Sequence, residues 1–316
     1  MHKSLRIVFM GTPSFATGIL KAMVDNGYKV VGVITVADKP AGRGQKMMIS
    51  DVKAYALTQN LPILQPTNLK DETFLNELSA LEADLFVVVA FRMLPAVVWQ
   101  MPRKGTFNLH ASLLPQYRGA APINWAIING EKETGVSTFF IDDKIDTGEI
   151  IMRKSLAILP DENVGSLHDR LMLLGQEVVL ETINQIETNQ VKTIVQPEDA
   201  HLKTAYKLNA ENCRIDWAKS PENIVNLIRG LSPYPGAWTV FKSDKEEFRV
   251  KIFEATFLPA EHANPPLKIK LENNQLFVCV AGGKIILHDL QFPNKKRMKT
   301  KELLNGWRFE NEFYIE

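Results

Sequence analysis

Cysteines and long apolar runs are both scarce in this sequence. It has only two cysteines, Cys213 and Cys279, among 316 residues, and neither lies at metal-ligand spacing from another ligand residue. The sequence therefore predicts neither a disulfide framework nor a zinc site. Its longest apolar run, residues 85–91, is far shorter than the roughly 18 residues that a membrane-spanning helix needs. The N-terminal apolar stretch is also too short for a signal peptide, so we expect a cytoplasmic protein without a membrane segment.

The low net charge and a missing glycine motif exclude two further classes of function. A formal net charge of +1 excludes a generally basic protein that coats nucleic acid, although it is compatible with a local basic surface. Gly11 follows the first predicted strand and precedes a helix, but the pattern G-x-G-x-x-G of dinucleotide sites is absent there. A nicotinamide-dependent oxidoreductase is therefore disfavoured.

The order of predicted elements indicates an α/β domain in the first half of the chain. Continuous apolar runs alternate with helical stretches, which is typical of a doubly wound, mostly parallel sheet with helices on both faces. We predict strands at 5–10, 29–36, 61–64 and 84–91, and helices at 14–26, 51–59 and 71–80. Such sheets bind ligands outside the carboxyl ends of their strands.

The second half of the chain predicts a small β-barrel. Apolar residues recur at helical spacing over 163–188, and we expect this helix to close a first domain at 1–189. Residues 190–208 have weak periodicity and are interpreted as a linker. Five β-rich runs between 237 and 292 follow a short helix near 220–230, and they fit an OB-like barrel in a domain at 209–316.

The segment FNLHASLLP places an amide and an imidazole at the end of a predicted strand. Asn108 and His110 are two residues apart, so their side chains point to the same face of the strand. Fixed donors of this kind can stabilise the oxyanion that develops in acyl transfer. The alternative is that both residues are hydrogen-bonded parts of the core.

The segment IDDKIDTGEI supplies carboxylates that could join this pair. Asp142, Asp143, Asp146 and Glu149 lie close together in sequence, and one of them could return to the crevice beside His110 and orient its ring. Two other interpretations remain open, because such carboxylates can hold a divalent cation or simply form a solvated turn.

Two basic segments are candidates for binding phosphate. The loop DKPAGRGQKM carries Lys39, Arg43 and Lys46 around two glycines, a composition that suits a phosphate backbone. Residues 295–301 contain a second basic cluster. Each segment is equally explained as an ordinary solvated surface with solubilising charge.

Six motifs in order resemble those of the folate-dependent formyltransferases: FMGTPSFA, ADKPAGRGQKM, VVVAFRMLP, FNLHASLLPQYRGAAPINWAI, GVSTFFIDDKIDTGEII and PYPGAWT. The resemblance runs from about residue 5 to about residue 308. It implies a Rossmann-like formyltransferase domain followed by an OB-like domain. The AGRG loop and the C-terminal domain are similar to those of the members that act on tRNA.

The resemblance implies a reaction and a catalytic set. Asn108, His110 and Asp146 match the catalytic positions of the family. The formyl donor would be 10-formyltetrahydrofolate, and the acceptor the α-amine of methionine on initiator tRNA, giving the formylated tRNA of translation initiation. We expect the amine to attack the formyl carbon while Asn108 and a protonated His110 stabilise the oxyanion. Asp146 would orient His110 and remove the amine proton through water.

The resemblance also assigns binding residues. For the folate these are Phe91, Arg92, Met93, Leu94, Ser112, Leu113, Leu114, Pro115 and Asp142. For the tRNA they are Lys39, Arg43, Lys46, Lys207, Lys295, Lys296 and Arg297. At Phe91-Arg92 the chain departs from the family, where a Tyr-Gly pair is common. No metal is implied, and we expect a monomer.

Two other functions remain alternatives. A formyltransferase acting on a nucleotide amine or an amino sugar would account for the first domain, but not for the AGRG loop or the barrel. A non-catalytic RNA-binding protein on an enzyme scaffold would have no need to retain Asn108, His110 and Asp146.

Overall fold

The computed structural model describes residues 4–41, 46–199, 201–260, 267–306 and 312–315. The chain divides into two compact units. One unit comprises Met1–Pro122, Thr134–Ala157 and His168–Thr204, and the other comprises Ile123–Glu133, Ile158–Leu167 and Ala205–Glu316. The domain limits predicted at 189 and 208 stay predictions.

The strands and helices are as follows. The strands are β1 Arg6–Gly11, β2 Lys29–Ile34, β3 Lys39–Ala41, β4 Lys46–Met48, β5 Ile63–Leu64, β6 Leu85–Val89, β7 Thr106–His110, β8 Arg118–Gly119, β9 Glu133–Phe140, β10 Ile150–Ala157, β11 Thr204–Ala205, β12 Ala237–Lys242, β13 Glu247–Pro259, β14 Lys268–Glu272, β15 Gln275–Val280, β16 Gly283–Gln291, β17 Met298–Lys299 and β18 Phe313–Ile315. The helices are α1 Ser14–Asp25, α2 Asp51–Thr58, α3 Glu72–Ala80, α4 Ala96–Trp99, α5 Pro122–Ile128, α6 Val164–Glu187, α7 Pro221–Gly230 and α8 Thr300–Gly306.

The first unit is built on a seven-stranded sheet with the order β10-β9-β7-β6-β1-β2-β5. The pairs of β1 with β2 and β6, of β2 with β5 and of β6 with β7 are parallel, whereas β7 pairs with β9 antiparallel. The predicted doubly wound, mostly parallel sheet is thus confirmed. The sequence reasoning did not identify β9 and β10 as strands, and they extend the sheet beyond β7.

Helices cover both faces of this sheet, which explains why β6 is apolar at every position and β1 is apolar over residues 7–10. Val8 and Met10 on one face of β1 pack in a core with Phe74 and Leu78 of α3. On the other face, a Cβ added at Gly175 of α6 would lie 2.9 Å from the side chain of Leu109 in β7, so α6 packs closely on this strand. Since side chains alternate along a strand, Asn108 and His110 point away from α6.

The second unit contains a closed barrel. Its strands follow the order β13-β12-β18-β14-β15-β16, and β13 also pairs with β16, which closes a ring of six strands. All the pairings in this ring are antiparallel. Phe241, Leu276 and Ile285 are among the fully buried residues of its core. The predicted barrel is confirmed, although the sequence indicated only five of the six strands.

Among the described residues, no helix combines the length and apolar character that crossing a membrane requires. Cys213 and Cys279 are both buried as free thiols, and burial raises the pKa of each.

Candidate active site

The site is built at the carboxyl end of β7. Val89 of β6 lies beside Leu109, so the segments that follow these two parallel strands leave the sheet at the same edge. His110 is the last residue of β7 and is buried, whereas Asn108 is half-buried. Asn108 Oδ1 is itself buried and has no hydrogen-bond partner among the described residues. A buried amide oxygen without a partner is costly, and this is typical of a site that binds a ligand.

Both ring nitrogens of His110 face oxygen atoms of the protein. Nε2 lies 2.7 Å from the carbonyl oxygen of Tyr117. Since a carbonyl can only accept, Nε2 carries a proton. Nδ1 faces Asp146 Oδ2 at 3.7 Å. The structure therefore brings together two of the three predicted catalytic residues, and a ring protonated on both nitrogens would direct a proton toward each oxygen.

Asp146 owes its position to the backbone around it. Its Oδ2 atom accepts a hydrogen bond of 2.9 Å from the amide of Gly119, in the loop that follows His110. The backbone of Asp146 has φ of +55°, in the left-handed region. Gly148, two residues on, approaches Phe140 so closely that a Cβ would lie 1.7 Å from its carbonyl oxygen. The glycine in DTG is thus required by this contact, which packs the loop against the end of β9.

Gln196 is a residue of this site that the sequence reasoning missed. It is 6% exposed although it lies in the predicted linker, and its amide nitrogen donates to the carbonyl oxygens of Asp146 and Gly148. Its amide oxygen accepts from the guanidinium of Arg118. No local pattern marks this glutamine, because all its partners are distant in sequence.

The segment Ser112–Pro115 is held by hydrogen bonds from neighbouring elements. Ser112 Oγ donates to the Gln116 carbonyl at 2.6 Å, and Ser137 Oγ of β9 donates to the Ser112 carbonyl at 2.7 Å. Arg153 of β10 donates to the carbonyl of Leu114, which is fully buried. Leu113 packs against Gly135. The proposed folate contacts here are therefore carried by a segment with few free backbone groups.

In the segment Phe91–Leu94, the side chain of Arg92 bonds to the protein's own backbone. Arg92 Nη1 donates to the Thr67 carbonyl at 2.9 Å, and Nη2 donates to the Pro66 carbonyl. Partial burial lowers the pKa of this guanidinium. Met93 is 65% exposed, whereas Leu94 is buried. Arg92 therefore holds the loop that precedes α3. The role of these four residues in folate binding stays a prediction.

Asp142 is engaged in the turn that precedes Asp146. Its carboxylate accepts hydrogen bonds from Thr147 Oγ1 at 2.8 and 2.9 Å and from the amide of Lys144 at 3.0 Å. These contacts agree with the interpretation of the segment as a turn, and its proposed part in folate binding stays a prediction. Within the described ranges, no three His, Cys, Asp or Glu side chains are grouped so that they could hold a metal ion.

The basic residues proposed for tRNA binding differ in their surroundings. Lys39, Lys207, Lys295 and Lys296 are exposed. Arg297, in contrast, forms a bidentate pair with the buried Asp289, with Nε to Oδ1 at 3.0 Å and Nη2 to Oδ2 at 2.9 Å. Arg43 and the side chain of Lys46 lie outside the described part of the chain.

Comparison with known proteins identifies the class. Residues 5–183 match the formyl transferase family, and residues 207–308 match the formyl transferase C-terminal domain. The chain belongs to the formyl transferase family. The resemblance drawn from its motifs is thereby confirmed.

Particular relatives are similar over nearly the whole chain. The methionyl-tRNA formyltransferase of Flavobacterium johnsoniae is 60% identical over 310 residues, which is 98% of this chain and 98% of the relative. That of Bacteroides fragilis is 52% identical over 319 residues, covering 99% and 98%. Among solved structures, an N-formyltransferase from Helicobacter canadensis in complex with folinic acid and dTDP-3-aminofucose has a TM-score of 0.66 at 22% identity, covering 92% of this chain and 100% of that one. The last likeness shows the fold alone.

Proposed function

We propose that this protein transfers the formyl group of 10-formyltetrahydrofolate to the α-amine of methionine on initiator tRNA. The observation that carries this proposal is the identity of 60% across both domains to a methionyl-tRNA formyltransferase. The family assignment supports formyl transfer, and the extent of the match supports the acceptor. The cluster at the end of β7 supplies the chemistry that such a transfer needs.

Asn108 and His110 have different parts in the proposed reaction. As the amine nitrogen adds to the formyl carbon, negative charge collects on the formyl oxygen, and donors fixed in place stabilise it without reorganisation. The Asn108 amide group would donate to that oxygen. The two nitrogens of His110 face Tyr117 and Asp146, so a protonated His110 would stabilise the oxyanion through its charge rather than through a hydrogen bond of its own.

Asp146 has two parts in the proposed reaction, one toward His110 and one toward the proton of the attacking amine. Its carboxylate faces His110 Nδ1 at 3.7 Å and would balance the charge of a protonated ring. The attacking amine must lose a proton once the new C–N bond forms, and we propose that Asp146 accepts it through a water molecule. The bond between the formyl carbon and the folate N10 then breaks, and N10 takes up a proton. The folate supplies the activated formyl group, and the residues of this chain position it and stabilise charge.

The substrate tRNA would be bound by exposed basic residues outside the catalytic cluster. Lys39 in β3, with Arg43 and Lys46 beyond it, would meet the acceptor end. Lys207, Lys295 and Lys296 would contact phosphates elsewhere. The guanidinium of Arg297 is paired with Asp289. Arg297 would therefore act by holding Lys295 and Lys296 in position for the tRNA.

Replacement of Arg43 by alanine should reduce the preference for initiator tRNA. A guanidinium can bind phosphate bidentately or stack on an unpaired base, and a loss of about 1–3 kcal/mol corresponds to roughly 5- to 150-fold in relative rate. The measurement is kcat/KM for charged initiator and elongator tRNAs with wild type and variant. Lys70→Ala, which removes an exposed cation elsewhere in the same unit, is the control. Equal ratios for Arg43→Ala and wild type would remove Arg43 from the proposal.

The central test is transfer of labelled formyl from 10-formyltetrahydrofolate to a panel of acceptors. The panel contains methionine-charged initiator tRNA, charged elongator tRNA, free methionine, glycinamide ribonucleotide and a nucleotide-linked amino sugar. We expect rapid transfer to initiator tRNA and little to the others. Transfer only to a small amine would retain the catalytic cluster and overturn the acceptor, and binding of tRNA without any transfer would support a non-catalytic RNA-binding protein.

We also propose that the protein acts as a monomer in the cytoplasm, where charged tRNA is used. Sedimentation velocity at micromolar concentration should give the mass of one chain, 35.6 kDa. A species of twice that mass would contradict the monomer.

A further inference from the structure

Asp146 adopts a backbone conformation that needs external support. Its φ of +55° lies in the left-handed region, which residues with a side chain adopt uncommonly. The one carboxylate oxygen that faces His110 also accepts from Gly119, so a small rotation of the Asp146 backbone would disturb both contacts. The contacts that hold this backbone therefore determine the distance between Asp146 Oδ2 and His110 Nδ1.

Gln196 makes the contact that holds it. Nε2 donates to the Asp146 carbonyl at 3.0 Å and to the Gly148 carbonyl at 2.7 Å, so both of its protons are used on the same loop. Oε1 accepts from Arg118 Nε at 3.1 Å and from Arg118 Nη2 at 2.8 Å. Carbonyl oxygens only accept and a guanidinium only donates, so the orientation of this amide follows from its partners.

Gln196 is itself fixed by the sheet. Ile194 and Ile150 of β10 exchange two backbone hydrogen bonds of 2.8 Å, which places Gln196 two residues beyond a defined bridge. Thr193 also donates to the carboxylate of Glu149. The glutamine thus connects β10, the Asp146 loop and Arg118, which directly precedes Gly119. Gly119 donates a hydrogen bond to Asp146. Gln196 holds the Asp146 end through the backbone carbonyl, and Arg118, which bonds to Gln196, holds the Gly119 end.

We propose that Gln196, anchored by Arg118, is a positioning residue for Asp146 in the proposed formyl transfer. It does not reach the reacting atoms; it holds the Asp146 carboxylate toward His110. This role rests on the proposed function for its effect on turnover, but its effect on the loop is independent of the reaction.

The first test is Gln196→Met, which preserves the length and most of the volume of the side chain and removes all four hydrogen bonds. A misplacement of about 1 Å in a catalytic group can cost about 100-fold, so we expect kcat to fall about 10- to 100-fold with little change in KM for the folate. Val195→Ala is the matched control, because Val195 is 73% exposed in the same segment, and it should have the activity of wild type.

A double-mutant cycle separates positioning from general damage. If Gln196 acts through Asp146, Gln196→Met should change kcat by less than about threefold in an Asp146→Asn background, because the charge that it positions is already gone. A purely structural role would give the same fold-loss in both backgrounds. If Gln196→Met does not fold, Arg118→Lys provides the second variant, since it loses the two-pronged contact with Oε1 and should give a smaller loss of the same kind.

Hydrogen–deuterium exchange tests the positioning without any turnover. Amides of residues 142–149 should exchange faster in Gln196→Met than in wild type or Val195→Ala. Wild-type protein that transfers no formyl group would overturn the proposed function, while faster exchange in the variant would still support the role in the loop. Unchanged exchange would overturn the positioning proposal, and so would equal fold-losses in the two backgrounds.

Discussion

Exchange of Asp146 for asparagine is expected to lower kcat about 10²- to 10⁴-fold, the range typical for loss of a general acid–base group. An asparagine oxygen can still accept from the Gly119 amide at 2.9 Å, so the loop is expected to keep its conformation. The negative charge 3.7 Å from His110 Nδ1 is lost, however, and with it the proposed acceptor for the amine proton. Single-turnover transfer to charged initiator tRNA measures the effect directly.

Asp143→Asn is the matched control for this experiment. It makes the same chemical change in the same loop at an exposed position, and it should leave kcat within about twofold of wild type. Folate affinity should be similar in all three proteins. An Asp146→Asn variant with near wild-type turnover would show that the carboxylate neither balances His110 nor receives the proton.

Asn108→Ala is expected to lower kcat about 10²- to 10³-fold, as loss of one oxyanion donor does in other acyl-transfer enzymes. The expectation rests on position, because Asn108 shares a face of β7 with His110 and its buried Oδ1 has no partner among the described residues. Removal of such a side chain breaks no hydrogen bond of Oδ1 within the described structure. The loss should therefore appear in turnover, while the free energy of unfolding in urea changes little.

Asn76→Ala provides the comparison for this second substitution. Asn76 is exposed on α3, so the same truncation there should affect neither turnover nor stability by a measurable amount. If Asn108→Ala lowered stability by several kcal/mol and turnover only in proportion to the unfolded fraction, Asn108 would be a structural residue.

The shared face of Asn108 and His110 was predictable because its pattern is local. A spacing of two places Asn108 and His110 on one face of any strand, whatever the rest of the fold. The choice of Asp146 among four carboxylates was not predictable from spacing and came from the family resemblance. In the structure, the position of the Asp146 carboxylate depends on a hydrogen bond from the Gly119 amide, which lies 27 residues away in sequence. The contacts of Gln196 were not predictable from the sequence for the same reason, since its partners lie 48 to 78 residues away.

Charge runs and strand patterns do not reveal a partner that lies on another strand. In the basic cluster at 295–301, β16 pairs with β17 and places the buried Asp289 beside Lys299 and Arg297, while the predicted role of the cluster in tRNA binding stays a prediction. β18 has only three residues, too few for a period-two pattern to stand out. The parallel strands β1 and β6 were predictable because burial on both faces makes residues 7–10 and 85–89 continuously apolar.

The closure of the barrel sets an order for its assembly during protein synthesis. β18 lies between β12 and β14 in the ring, but it follows both of them in the chain by more than forty residues. Until Phe313–Ile315 has left the ribosome, β12 and β14 each present an unpaired edge of the kind that joins other sheets. β18 therefore covers two strand edges that would otherwise be open to pairing with another chain.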